Sequence, residues 1–284
     1  IRYIRTPGLG AGTARNIGIQ EARNELVAFI DSDDEWLPGK IAIQRAFMEA
    51  MPEVLFCFSN FSFCEIPELG GNFKHFNLVS WSKDTRGWNE ILADGRQISS
   101  VIKLPSGMPD FQFHVGPMCT QELIANYINV NTLLVRRLEA GDALRFAEDT
   151  STYEDWECFG RLALAGKAAY LDIETACQHS HGGERLTDAH TTECALARIT
   201  ILPRVWGSNK DFLENQCELY QRTLDAERLK LAEGLLTRGE SKKARAELGQ
   251  IRSGVPVSRR LLSILPGSIL KQLFGLRRLI KYRH

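Results

Sequence analysis

Five apolar residues, Leu26-Val27-Ala28-Phe29-Ile30, run straight into Asp31-Ser32-Asp33-Asp34, and no other stretch of the 284 residues constrains the fold as tightly. An apolar run of this length, bounded by polar residues, reads as a buried strand. Three carboxylates then stand at its C-terminal end, the edge at which open α/β sheets bind ligands. Clustered anions repel one another unless solvent or a cation compensates them. Oxygen donors of this kind suit a hard divalent ion, Mg²⁺ or Mn²⁺. The same residues also read as an acidic turn in which Asp33 or Asp34 caps the next helix, and the spacing leaves both readings open.

Upstream, the loop Gly8-Leu9-Gly10-Ala11-Gly12 opens a short helix with Ala14, Ile17, Gly18 and Ala22 near one face. Downstream, Trp36-Leu37-Pro38-Gly39-Lys40 breaks the chain before a helix over Ile41 to Met51. A dinucleotide-binding loop is excluded, because Thr13 stands where G-x-G-x-x-G requires its third glycine. An aspartyl phosphotransferase accommodates Asp31-Ser32-Asp33, but Glu35 replaces its Thr or Val.

Taken in order, Ala14-Arg15-Asn16-Ile17-Gly18 and Phe29-Ile30-Asp31-Ser32-Asp33-Asp34-Glu35-Trp36-Leu37-Pro38 resemble the family 2 glycosyltransferases of the GT-A fold. A second block resembles the family's acidic helix-opening segment: Tyr153-Glu154-Asp155-Trp156-Glu157, then Phe159, Arg161-Leu162-Ala163 and Gly166. The resemblance spans residues 1 to about 190. It implies an α/β, Rossmann-like mixed sheet flanked by helices. The implied activity is metal-dependent, inverting transfer from a nucleotide-diphosphate sugar to a hydroxyl of a glycan or lipid-linked acceptor, as in polysaccharide biosynthesis.

The resemblance also assigns roles. Asp155, ahead of Glu154, is the catalytic base. Asp33, with Asp31, holds Mg²⁺ or Mn²⁺, and His181 is a further metal ligand, with His179 a less favoured substitute. Gly12, Arg15, Asn16, Asp31 and Arg185 bind the donor. The residues themselves permit these roles. A carboxylate in a first helical turn is kept ionised by the dipole, and an ionised carboxylate can take a proton from a hydroxyl. They also permit plainer ones. Glu154-Asp155 is an ordinary helix start, and Gly182-Gly183 reads as a turn within a loop. Trp81 and Trp88 could stack on an acceptor sugar or simply pack. The family's opening strands, with their uracil-side contacts and first nucleotide-binding aspartate, have no counterpart ahead of Ile1. The chain therefore reads as lacking them, with an apolar sheet edge exposed. Two further classes stay open: a sugar-nucleotide nucleotidyltransferase, and a non-catalytic interaction protein of the same fold.

A hydrophobic content of 44% supports one large domain, residues 1–190, and a helical C-terminal extension, 191–284. Within the extension, Leu219 to Leu236 and Ser241 to Ile251 read as amphipathic helices. No run of 18 apolar residues suggests a membrane span. Seven scattered cysteines without C-x-x-C read as reduced thiols of a cytoplasmic protein and offer no zinc motif. The neutral net charge hides an asymmetry: from Leu248 onward there are eight Lys/Arg and no Asp/Glu. Residues 266–284 form a basic amphipathic stretch suited to an anionic membrane surface, and equally to the protein's own core or a partner. Nucleic acid is not expected, since only Phe274 and Tyr282 offer stacking rings there.

Overall fold

The apolar stretch at Val54 forms the centre of the structure. A computed structural model describes residues 2–64, 73–76, 84–93, 95–150, 152–179 and 191–270. The glycine loop leads into α1 (Ala11–Glu21), followed by β1 (Leu26–Ala28), β2 (Glu35–Trp36), α2 (Lys40–Ala50), β3 (Val54–Cys64) and β4 (Phe73–Phe76). Next come α3 (Trp88–Ile91), β5 (Arg96–Gln97), β6 (Gln112–Gly116), α4 (Cys119–Ile124), β7 (Leu134–Arg136), α5 (Glu154–Ala165) and β8 (Lys167–His179). They build one mixed eight-stranded sheet in the order β1-β7-β3-β8-β6-β5, with β2 added to β8 and β4 to β3. β3 and β8 run parallel from Val54↔Lys167 to Cys64↔His179, and the remaining pairs are antiparallel.

The sheet is covered on both faces, which is why its central strands are apolar without alternation. Phe56, Phe58, Ala168 and Tyr170 join one core cluster with Cys158, Phe159, Leu162 and Ala163 of α5. Their neighbours Cys57, Ala169 and Leu171 join a second cluster with Phe47 and Met48 of α2. Successive strand residues point to opposite faces, so each strand feeds both layers. α5 stops at Gly166, where an added Cβ would lie 2.8 Å from Leu55 Cβ. This is the expected α/β architecture, a mixed sheet flanked by helices with a helical C-terminal region.

Several local expectations change. β1 ends at Ala28 rather than Ile30; it is a half-buried edge strand, and Ile30 is 42% exposed. The mostly apolar stretch Ile128 to Val135, whose pattern suits a strand, instead forms a 3-10 turn at Val130–Thr132 before β7. The cause is local side-chain bonding, which competes with a ladder. Asn129 accepts from the Asn131 amide at 2.9 Å, and the Thr132 hydroxyl donates to the Asn129 carbonyl at 2.8 Å. The apolar face expected of α1 is not what that helix buries, since Ala14 and Gly18 are exposed while Gly12 and Asn16 are buried.

The chain divides into two compact units, Ile1–Asp149 with Glu154–Gly183 and Thr150–Tyr153 with Glu184–His284. In the second, α6 (Thr191–Val205), α7 (Lys210–Thr237), α8 (Ser241–Leu248) and α9 (Val257–Ile264) close around Ala195, Leu231, Ala232, Leu235, Leu236 and Ala244. Asn209 caps α7 by accepting from the Phe212 amide at 2.8 Å. Among the described residues no helix is long and apolar enough to cross a membrane.

Candidate active site

α1 is held against the chain that leads into α5. An added Cβ on Gly12 would lie 2.0 Å from the Ala147 carbonyl oxygen, so the two backbones approach closely only because residue 12 is glycine. Asn16, buried one turn on, clamps the same segment. Its amide group donates to the Phe146 carbonyl at 2.9 Å and to Glu148 Oε1 at 2.7 Å, and its oxygen accepts from the Phe146 amide at 2.9 Å. Gly12 and Asn16 thus act here on the protein's own backbone.

The docked helix aims Arg15 at the two acidic motifs. One guanidinium nitrogen donates to Asp31 Oδ1 at 2.7 Å and the other to Glu154 Oε1 at 2.8 Å. Side-chain exposures of 13% for Arg15 and 14% for Glu154 place this tie well inside the surface. Residues more than a hundred positions apart, picked out from separate motifs, therefore meet at one cation. Asp155 follows Glu154 in the first turn of α5, and its Oδ1 accepts from the Trp156 amide at 2.7 Å. Burial, reinforced by the neighbouring Glu154 charge, pushes the Asp155 carboxyl up to about 7. The helix dipole does not keep it fully ionised, as expected from its position alone; desolvation outweighs the dipole. The backbone just ahead is unusual, because Tyr153 has φ 63, a left-handed conformation rare for an aromatic residue.

The acidic turn is organised by Asn131, a residue far from it in sequence. Asn131 Oδ1 accepts from the Asp31 amide at 2.8 Å, and its Nδ2 donates to Asp34 Oδ2 at 2.6 Å. The Trp36 indole donates to the Asn131 carbonyl at 3.0 Å and to that of Phe29 at 3.1 Å. Asp34 Oδ1 accepts from the His179 amide at 2.9 Å, and burial raises its carboxyl above the ordinary range. Asp34 is thus a brace between the turn and β8 and not a helix cap; α2 starts at Lys40 behind the N-cap Gly39, which has φ 89 and offers no side-chain cap. Asp33 is exposed at the tip of the turn. A polar Asn inside an apolar run was the only sequence signal for Asn131.

Asp31 and Asp33 offer oxygen donors of the kind that Mg²⁺ or Mn²⁺ prefers, but among the described residues the acidic turn does not bring three ligand atoms within 4.8 Å of one another. Among the described residues, three metal-capable side chains come within 4.8 Å of one another at Glu35, Cys177 and His179. Glu35 and Cys177 are ladder partners between β2 and β8, and His179 lies two residues along the same face. This trio depends on strand register and was not legible beforehand. His181 and Arg185 lie outside the described residues, as does Trp81. Trp88 is buried and stacks on Tyr170 at 3.9 Å between ring centroids, which makes it a core residue. Lys40, also buried, donates to Gln44 Oε1 at 2.5 Å, lies over the Trp36 ring at 5.1 Å, and is pushed down to about 8 by burial.

The family described as glycosyl transferase family 2 matches residues 1–98. An uncharacterized glycosyltransferase of Rickettsia bellii is 37% identical over 82 residues, 29% of this chain and 11% of that protein. One from Rickettsia felis is 44% identical over 70 residues, 25% of this chain and 11% of its own length. The Escherichia coli UDP-Glc:alpha-D-GlcNAc-diphosphoundecaprenol beta-1,3-glucosyltransferase WfaP is 44% identical over 52 residues, 18% of this chain and 20% of WfaP. The chain thus spans about a tenth to a fifth of the length of these relatives. The stretch that matches the glycosyl transferase family 2 model, residues 1–98, holds the glycine loop, Arg15 and the acidic turn.

Proposed function

We propose that this chain carries the catalytic core of a metal-dependent, inverting glycosyltransferase that moves a sugar from a nucleotide-diphosphate donor to a hydroxyl. The observation that carries the reading is the Arg15 bridge, which gathers Asp31 of the acidic turn and Glu154 of the α5 start at one place. Asp155, whose carboxyl titrates at about 7, is the group that takes the acceptor proton. A base poised near neutrality combines a useful ionised fraction with real proton affinity. Arg15 fixes Asp31 and Glu154 in place, and Glu154 acts on Asp155 through its charge. Asp33 and Asp31 are the residues that would hold Mg²⁺ or Mn²⁺, which when bound neutralises the leaving diphosphate. Gly12 and Asn16 serve donor binding indirectly, by seating α1 so that Arg15 reaches its partners.

Similarity to a glucosyltransferase acting on a diphosphoundecaprenol-linked sugar supports a UDP-sugar donor and a lipid-linked acceptor. Such an acceptor brings its enzyme to a membrane, the partner expected of the 266–284 tail. The test is transfer from UDP-sugars to a lipid-diphosphate-linked GlcNAc with Mn²⁺ present, comparing the wild type with Asp155→Asn. We expect transfer by the wild type and none by the variant, with donor affinity nearly unchanged. Transfer by the variant at the wild-type rate removes Asp155 from the base role.

A further inference from the structure

In the helical unit, α9 shows solvent a face that a helix ordinarily buries. Val257, Leu261 and Ile264 are 71%, 60% and 66% exposed. Their spacing of four and three residues puts them on one side of the helix. The helix is seated by its other side. Ser263 is buried, Leu262 packs against the core of the unit, and Arg259 donates to Glu233 Oε1 at 2.5 Å. The exposed aliphatic stripe is therefore a consequence of how α9 docks, not of a frayed end. Ile269, 42% exposed, continues the apolar surface past the helix.

Cations outnumber anions around the stripe: Glu233 pairs with Arg259 and Glu240 with Lys243, and the other charged groups beside it are basic. Arg260 lies beside Leu261 on the exposed side. At the C-terminal end, Ile264 and Pro266 border an open depression of about 490 Å³ that is also lined by Lys242, Lys243, Arg245 and Glu240. Aliphatic side chains flanked by an excess of cations match the boundary between acyl chains and anionic headgroups, where each Lys or Arg strengthens binding. A second copy of this chain would bring the same excess of cations against this one, whereas an anionic lipid surface complements both the apolar stripe and that excess.

We propose that α9 is an interfacial helix that lies on an anionic phospholipid surface, with Val257, Leu261 and Ile264 entering the acyl boundary and Arg260, Lys242 and Lys243 meeting phosphates. The proposal goes beyond the sugar-transfer reading and does not depend on it, because binding is read without donor or acceptor. It also places membrane contact ahead of the 266–284 tail.

The test is flotation of the whole chain with phosphatidylcholine vesicles, with and without phosphatidylglycerol. We expect binding that requires phosphatidylglycerol and weakens with salt. Leu261→Glu with Ile264→Glu should weaken it by about tenfold or more, with circular dichroism and melting unchanged because both positions are exposed. Arg260→Gln, which leaves the apolar face intact, should weaken it by about fivefold. Failure of the wild type to float overturns the proposal. So does flotation of both variants at the wild-type level, which would put lipid affinity in the tail. A wild-type dimer that the paired substitution splits, without any vesicle binding, would instead make the stripe a contact between copies.

Discussion

At the scale of single residues, the site turns on how one arginine and one aspartate are charged. Arg15 bonds two carboxylates at 2.7 and 2.8 Å from a largely buried position. Arg15→Met leaves both anions without their shared cation, and breaking a buried pair in this way costs more than the pair contributes. We expect a loss of about 2 kcal/mol in stability, read as a lower denaturation midpoint, together with loss of transfer. Asp155 gives a pH signature. Its carboxyl titrates at about 7, so transfer should rise with pH through that value as the base ionises. Glu154→Gln removes the neighbouring charge that raises it and should shift the rising limb to lower pH. A limb that stays in place, or that lies in the ordinary carboxylate range in the wild type, contradicts the assignment. The sequence exposed the identities of Asp155, Arg15 and Asp31 because each sits in a short contiguous motif. It did not expose the elevated titration of Asp155, because desolvation depends on residues brought in from α1 and the acidic turn.

At the scale of elements, α1 is positioned by two residues that read as ligand-binding and act as packing. Gly12 lets the helix touch the Ala147 carbonyl, and Asn16 bonds the Phe146 backbone in both directions. Gly12→Ala must push these backbones apart, at a cost of about 1–3 kcal/mol, and should lower activity by moving Arg15 even though no ligand contact is lost. The acidic turn has the same dependence on Asn131. Asn131→Ala removes its bonds to Asp31 and Asp34 and should cost about 2 kcal/mol while weakening metal-dependent nucleotide binding. An unchanged melting temperature would show that the turn holds itself. The lengths and ends of α2, α5 and α8 were close to legible, since periodicity and capping are local. The short β1, the 3-10 turn before β7 and the extension of β8 to His179 were not. Edge position, side-chain bonds from Asn129 and pairing with β2 decide them, and these are properties of the assembled sheet.

At the scale of the whole molecule, catalytic poise and stability pull against each other. Asp155 binds a proton more tightly folded than unfolded. Its contribution to stability is therefore present below the ordinary carboxylate value and is lost as pH rises through about 7. Asp155→Asn should accordingly melt above the wild type at pH 8, with the gap closing toward pH 5; a variant that melts lower at pH 8 contradicts the burial argument. Both units bear on function under this account. The mixed sheet gathers the acidic motifs, and the helical unit carries a basic, partly apolar surface. The most direct measurement is isothermal titration of the chain with UDP and GDP, with and without Mn²⁺, repeated on Asp33→Ala. The account predicts manganese-dependent binding of a nucleoside diphosphate that the substitution abolishes. Binding that ignores manganese, or that survives Asp33→Ala unchanged, would contradict the claim that the acidic turn is a metal-assisted donor site.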